Sequence, residues 1–249
     1  MPAAAKKDTK SSPKSRNGKS PALSRERIVK AAYQLAKKDP VQALSMRKIA
    51  TKLKVTPMAI YKYFNDKEEL TSAIIDMHMT KSDLIPTEED ANDWRPWIKS
   101  AYMRMWDAYD AAPSMVQFMT NAGSFGPAVL NWQNEALKVL INAGLTPKQA
   151  LTCHAAMAEL ATGSSILMPV RKQGVERTFP TIWKAIQEGA IPDASALQEN
   201  SNIMEYPWLM MCGQAMLEDM QDSRRAFAEE IELILDSIAI RIAANKGKQ

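Results

Sequence analysis

Apolar positions along the chain recur at helical spacing almost from the point where there is anything to bury. Residues 1–22 are rich in Lys, Ser, Pro and Ala and read as a disordered basic tail. From Leu23 onward the repeat is helical, and the long alternating Val/Ile/Thr runs that mark strands are missing. Ile28, Ala32, Leu35 and Ala36 fall at i, i+4, i+7 and i+8, the buried stripe of a first helix over about 25–38 with Ser24 as its N-cap. Asp39-Pro40 ends it, because the residue before proline is driven out of the α region.

The next stretch, "SMRKIATKLKVTPMAIYKYFNDKEEL" from Ser45 to Leu70, starts a helix three times. Ser45 caps a second helix; Thr56 caps a third, with Pro57 in the first helical position where its missing N–H is no loss. Asp66 caps a fourth, with Glu69 completing an acidic capping box. Leu23 with Ile28, Leu44 with Ile49 and Val55 with Ile60 have the spacing of hydrophobic staples. Beyond Met79 the helices lengthen, to roughly 92–110, 113–121, 126–143, 147–168, 180–188, 202–214 and 223–244. Pro86, Pro113, Pro127, Pro147, Pro169, Pro180, Pro192 and Pro207 fall at the expected breaks. The pattern predicts an all-α fold: a helix-turn-helix domain over 23–80 and a larger helical domain over 81–249.

Composition changes this picture little, and charge changes it more. With 249 residues, 46% of them hydrophobic and 24% charged, the chain can form two modest domains. No apolar run approaches the ~20 residues that span a bilayer, and the first residues lack the apolar core of a signal peptide. Cys153 and Cys212 make no disulfide framework, so the expected location is the cytoplasm, with no membrane partner. Residues 1–81 hold 18 Lys/Arg against 7 Asp/Glu, whereas 82–249 hold 14 against 21. A basic third joined to an acidic remainder suggests that one end meets a polyanion.

The second and third helices, separated by "LKV", form a helix-turn-helix candidate that would lead into the major groove of double-stranded DNA with the third helix. Thr56, Tyr61, Lys62, Tyr63 and Lys67 are donors suited to phosphate oxygens, and Arg47 can reach a guanine edge with a bidentate fork. The plainer reading is three short helices capping a bundle; the basic surplus and the hydroxyl cluster favour DNA. Lys6, Lys7, Lys10, Lys14, Arg16 and Lys19 of the tail could enter a minor groove or merely solubilise, and both readings stay open.

"LSMRKIATKLKVTPMAIYKYFNDKEEL" also closely resembles the DNA-binding domain of TetR-family transcriptional regulators, over roughly 23–75. The resemblance implies a bacterial homodimer whose carboxy-terminal domain dimerises and binds a small ligand that lowers DNA affinity. It implies base contact by Arg47 and by Pro57, Met58 and Ala59 at the start of the recognition helix. Phosphate contact is implied for Thr56, Tyr61, Tyr63 and Lys67, and either role for Lys62. One departure is Lys54, where the family usually has glycine; a positive φ there costs roughly 1 kcal/mol.

In the larger domain, Leu151, Ala155, Ala158, Thr162 and Ile166 make a stripe of mostly small side chains. Phe227, Ile231, Ile234, Leu235, Ile238 and Ile242 make a continuous apolar face. Either stripe could be ordinary core; the resemblance raises them to a dimer interface, and two-fold symmetry then implies a pseudo-palindromic operator. Trp97, Met103, Trp106, Phe118, Met119, Trp132, Met157 and Trp183 are large, adaptable side chains suited to an apolar or aromatic effector. Arg104, His154 and Glu159 are candidate polar readers of it. His78 and His154 have no metal-ligand spacing, Cys153 beside His154 points elsewhere on a helix, and no phosphate loop or nucleophile elbow occurs. No cofactor, metal or catalysis is therefore expected. The sequence is read as a ligand-responsive homodimeric repressor, with a constitutive or architectural DNA-binding protein as the alternative.

Overall fold

The computed structural model describes residues 22–37, 44–120, 125–190, 193, 195–196 and 205–247. The basic tail and Asp39-Pro40 lie outside them. Among the described residues the chain is all-α, without a strand. Four short helices come first: α1 (Arg25–Ala36), α2 (Met46–Leu53), α3 (Pro57–Tyr61) and α4 (Lys67–Lys81). The larger part comprises α5 (Trp94–Ala111), α6 (Pro113–Thr120), α7 (Pro127–Asn142), α8 (Pro147–Thr178), α9 (Pro180–Gln187), α10 (Pro207–Met211), α11 (Gly213–Gln221) and α12 (Ser223–Lys246).

Local chemistry sets the early helix starts. Ser24 Oγ accepts from the Arg27 amide at 3.2 Å, Ser45 Oγ from Lys48 at 3.2 Å and Asp66 Oδ1 from Glu69 at 2.7 Å. Each such cap stabilises its helix by about 1 kcal/mol. Thr56 occupies the N-cap of α3 but its hydroxyl makes no capping bond. The acidic box differs from expectation: Glu69 reaches past Asp66 and accepts from the Asn65 amide at 2.8 Å. Lys54 has φ 57° and ψ 45°, the left-handed conformation expected of that turn. The Val55 amide then donates back to the Ala50 carbonyl at 3.0 Å, a Schellman closure of α2.

α1 packs against α2 and α4; α4 in turn packs on α6 and α7, so the reader is not a free unit. One hydrophobic cluster runs from Ile28 through Ile49, Ile60 and Ile74 to Trp97, Tyr102, Met157 and Ile231. α5 lies between α8 and α12, and ion pairs hold it to α12: Arg95 and Lys99 to Glu232, Arg224 to Asp107. A smaller cluster gathers Phe179, Ile182, Ile186 and Leu217 where α9 meets α11.

Two expected boundaries are corrected. α8 does not stop before Pro169 but runs through it to Thr178. Proline deletes one amide bond and crowds the carbonyl four residues back. The far end of α8 offsets this by packing Val175 against the second cluster. The single helix expected at 202–214 is, over its described part, α10 ending at Cys212, and α11 then starts anew at Gly213. Pro207 fits only the first helical position, and α11 buries Leu217 and Met220.

Candidate nucleic-acid interface and effector region

α2, the left-handed Lys54 turn and α3 present one face to solvent. Arg47, Thr56, Met58, Tyr61, Lys62, Tyr63 and Lys67 are exposed, and Pro57 and Ala59 are half-exposed. Met58 keeps 70% of its surface open, unusual for an apolar side chain with a core one turn away. Ile49, Ile60 and Phe64 are buried beneath this face and fix the angle between the two helices. Among the described residues the side chains of Arg47, Thr56, Tyr61, Lys62 and Lys67 form no hydrogen bond or ion pair. The α3 start also leaves backbone N–H groups and positive dipole toward solvent, a surface made for phosphate oxygens.

Tyr63 differs: its hydroxyl donates to the Leu23 carbonyl at 2.7 Å, tying the segment after α3 back to the start of α1. Arg25 completes that tie. Its guanidinium donates to the Tyr63 carbonyl at 2.8 Å and to Glu69 at 2.7 Å, and lies 4.2 Å from the centre of the Phe64 ring. The bond from the Asn65 amide, and after it that from Arg25, holds the Glu69 carboxyl below the usual carboxylate range. Sequence reasoning missed Arg25, since nothing local to it signals a partner 44 residues away.

The reader is fastened to the larger part at two points. Asp76 of α4 accepts from the Ala128 amide at 2.6 Å and so caps α7 from another helix. Gly126, beside it, has no room for a side chain, because a Cβ would meet Asp76 Oδ1 at 2.5 Å. Ser114 Oγ, in α6, donates to the Ala36 carbonyl at the end of α1 at 2.7 Å. The Tyr33 hydroxyl faces His78 Nδ1 at 3.4 Å. Burial, and secondarily the Lys37 ammonium, lowers the His78 pKa to about 4.

The effector candidates separate into groups. Trp97, Met103, Trp106, Phe118, Trp132, His154 and Met157 are buried in the main core, with Met119 half-buried against it. His154 Nδ1 lies 2.7 Å from the Tyr102 hydroxyl, with Trp132 against both rings. Burial pushes the His154 pKa down and the Tyr102 pKa up, so the pair is neutral. Three candidates stand apart. Arg104 is engaged at the surface by Asp83 and Glu88, Glu159 is exposed, and Trp183 belongs to the second cluster.

The interface candidates need a correction. Phe227, Ile231, Leu235, Ile238 and Ile242 are buried against α5 and α8 of their own chain, and Ile234 is half-buried. The five buried side chains have no free surface to offer a second copy, and Ile234 keeps only part of its own. α12 is apolar on two faces, and periodicity located the inner one. The outer face carries Leu233 and Ile240, 73% and 70% exposed. On α8, Leu151 is exposed and Ala155, Ala158 and Thr162 are half-buried.

Among the described residues no group of His, Cys, Asp and Glu could hold a metal, and no helix is long and apolar enough to cross a membrane. Comparison with known proteins agrees with the geometry of the reader. Residues 28–74 match the family model for bacterial regulatory proteins of the tetR family. The chain is 23% identical over 195 residues to the transcriptional repressor DrrR1 of Streptomyces coeruleorubidus, covering 74% of this chain and 72% of that one. It is 26% identical over 195 residues to the class C tetracycline repressor of Escherichia coli, covering 70% and 85%. The solved structure of Streptomyces coelicolor ActR with actinorhodin superposes with a TM-score of 0.68 at 18% identity, covering 88% of this chain and 98% of that one. The reader therefore matches the tetR-family model, and the chain as a whole resembles regulators of that family in fold.

Proposed function

We propose that this chain is a TetR-family homodimeric repressor that leaves a pseudo-palindromic operator when a small apolar or aromatic effector binds its larger domain. The observation that carries the DNA half is the exposed face of Arg47, Thr56, Met58, Tyr61, Lys62 and Lys67 around the α3 start. Met58 beside Pro57 and Ala59 suits apolar contact with thymine methyls, and Arg47 and Lys62 supply hydrogen-bond readout. Lys67 and Thr56 hold phosphates and set the register. The dimer is read from the outward α8 and α12 surfaces, with Leu151, Leu233 and Ile240 as anchors. It would set two recognition helices about one DNA turn apart, ~34 Å.

The effector half is supported by relatives, one named for tetracycline and one solved with actinorhodin. It is supported also by the Asp76 contact, through which a shift of α7 reaches α4 and the reader. Coupling of this kind typically amounts to ~1–3 kcal/mol and requires unequal effector affinity for the two states. The closed packing of Trp97, Phe118 and Met157 favours the second reading, a constitutive regulator.

Selection of bound duplexes from a random library at physiological salt tests the first half. One palindromic motif is expected; asymmetric or unenriched sequences would overturn it. With that operator in hand, Arg47→Ala should cost about 1–3 kcal/mol and relax one base position. Lys67→Ala should weaken all sequences alike. Titrating aromatic compounds while following tryptophan fluorescence and operator binding together separates the two readings.

A further inference from the structure

A recess in the larger domain lies between α5, the start of α6 and the part of α8 around Pro169, with a volume of about 140 Å³. A cavity of this size holds a single six-membered ring: an engineered apolar cavity of ~150 Å³ takes up benzene. Its walls are mostly apolar, with Trp106, Tyr109, Met168 and Pro169 contributing flat or adaptable surface.

Two side-chain donors at this cavity have no partner among the described residues, and one backbone carbonyl there lacks its usual helical donor. Trp106 Nε1 and the Tyr109 hydroxyl are buried without a partner of ordinary geometry, and the hydroxyl has only Thr162 as a polar neighbour. Their side chains keep 5% and 1% of their surface exposed. The third group is the Ser165 carbonyl. In an unbroken α-helix it would accept from the amide of residue 169, and that residue is proline. Buried polar groups without partners are rare in folded proteins. Here the residues that carry these two donors and this acceptor line one ring-sized space.

We propose that this cavity is a binding niche for a single aromatic ring bearing a hydroxyl, a simple phenol or the phenolic end of a longer molecule. The phenolic oxygen accepts from Trp106 Nε1–H or Tyr109 Oη–H, and its proton goes to the Ser165 carbonyl. The ring stacks among Trp106, Tyr109 and Met168. A longer ligand leaves past Lys172, whose ammonium lies at the rim 3.4 Å from Ser223 Oγ. The niche rests on reading the larger domain as the effector domain, and it narrows the ligand from apolar or aromatic to phenolic.

Calorimetric titration of the full chain with phenol and, separately, with toluene tests the niche. One phenol per chain is expected, bound at least ten-fold more tightly than toluene. Trp106→Phe and Tyr109→Phe should each weaken phenol about three- to ten-fold and leave toluene unchanged. Both variants should melt no lower than the parent without ligand, because each deletes a group that had no partner. Met168→Trp, which fills the space, should abolish binding of both compounds. Equal affinity for phenol and toluene, or phenol binding that survives Met168→Trp, would overturn the niche. Repeating the titration with operator DNA separates the two claims. Phenol that binds and leaves operator affinity untouched keeps the niche and sinks the effector reading.

Discussion

The four-helix reader and the helices behind it solve opposite problems. On its outer side the reader is internally complete: Ser24, Ser45 and Asp66 cap their helices, its core of Ile28, Ile49, Ile60 and Phe64 is closed, and its candidate contact side chains stand outside. The larger part buries its aromatic and methionine candidates and leaves several polar groups among them unfinished. Trp106 Nε1, Tyr109 Oη, Trp132 Nε1 and Trp183 Nε1 are all buried without partners. A surface that reads DNA must be rigid before contact, because positioning depends on a fixed angle between α2 and α3. If the larger part senses a small molecule as proposed, it needs groups that the ligand, and not the chain, completes.

The largest test of this contrast is to separate two readers from each other. Leu233→Glu with Ile240→Glu puts charges on the outer face of α12 without touching the buried stripe. The double variant should sediment as a monomer and lose operator affinity by a hundred-fold or more, since linked sites typically gain 10²–10⁴. A dimer that persists would move the interface elsewhere. The same change on the inner stripe, at Ile231, should unfold the chain instead, which distinguishes interface from core.

His78 is the exception on the reader side, the one place where α4 carries an unfinished group toward the larger domain. Its pKa is lowered from 6.5 to about 4, so the folded state resists a proton that the unfolded chain accepts. Stability is fully present above pH 6.5 and is lost as pH falls toward 4, reaching about 3 kcal/mol. His154 shifts in the same direction from burial. Chemical denaturation at pH 7 and pH 5 should show the loss, and His78→Phe should flatten its larger part. A parent protein equally stable at both values would contradict this.

Asp76 tests how the two regions communicate. Asp76→Ala removes the acceptor at the α7 start and should cost about 1–2 kcal/mol in unfolding. Its more telling effect is on coupling: effector should still bind, while operator release weakens. Gly126→Ala should reproduce part of the effect by pushing Asp76 away. If Asp76→Ala releases operator as readily as the parent, α4 is driven through α6 and Ser114 instead.

How much was legible follows from the same contrast. Ser24, Ser45, Asp66 and the Lys54 turn are local signals, decided within five residues, and the fold of the reader could be read from them. The α12 stripe was legible as a stripe, but not which of two apolar faces points inward, because that depends on where α5 and α8 lie. Pro169 misled for a related reason: packing at Val175 outweighs the local penalty. The Trp106 and Tyr109 pair was visible only as bulky composition, since a missing partner is a property of assembled helices. Arg25 carries a lesson in the other direction, a surface cation whose role is set entirely by Tyr63, Phe64 and Glu69 far along the chain.

The smallest effect belongs to Lys54. Its left-handed backbone costs a non-glycine residue about 1–2 kcal/mol, and glycine would remove that strain. Glycine also enlarges the unfolded ensemble, which returns about 0.4–1 kcal/mol. Lys54→Gly should therefore raise stability by only a few tenths of a kcal/mol to about 1 kcal/mol. Operator affinity carries the sharper information. If Lys54 is only the hinge of the turn, the variant should bind its operator as the parent does, with the same salt dependence. If the exposed ammonium touches a phosphate, the salt slope should fall by about one unit while sequence preference stays fixed. The second outcome would make the residue that departs from the usual glycine a DNA contact, with its backbone strain offset by the charge it brings to the groove.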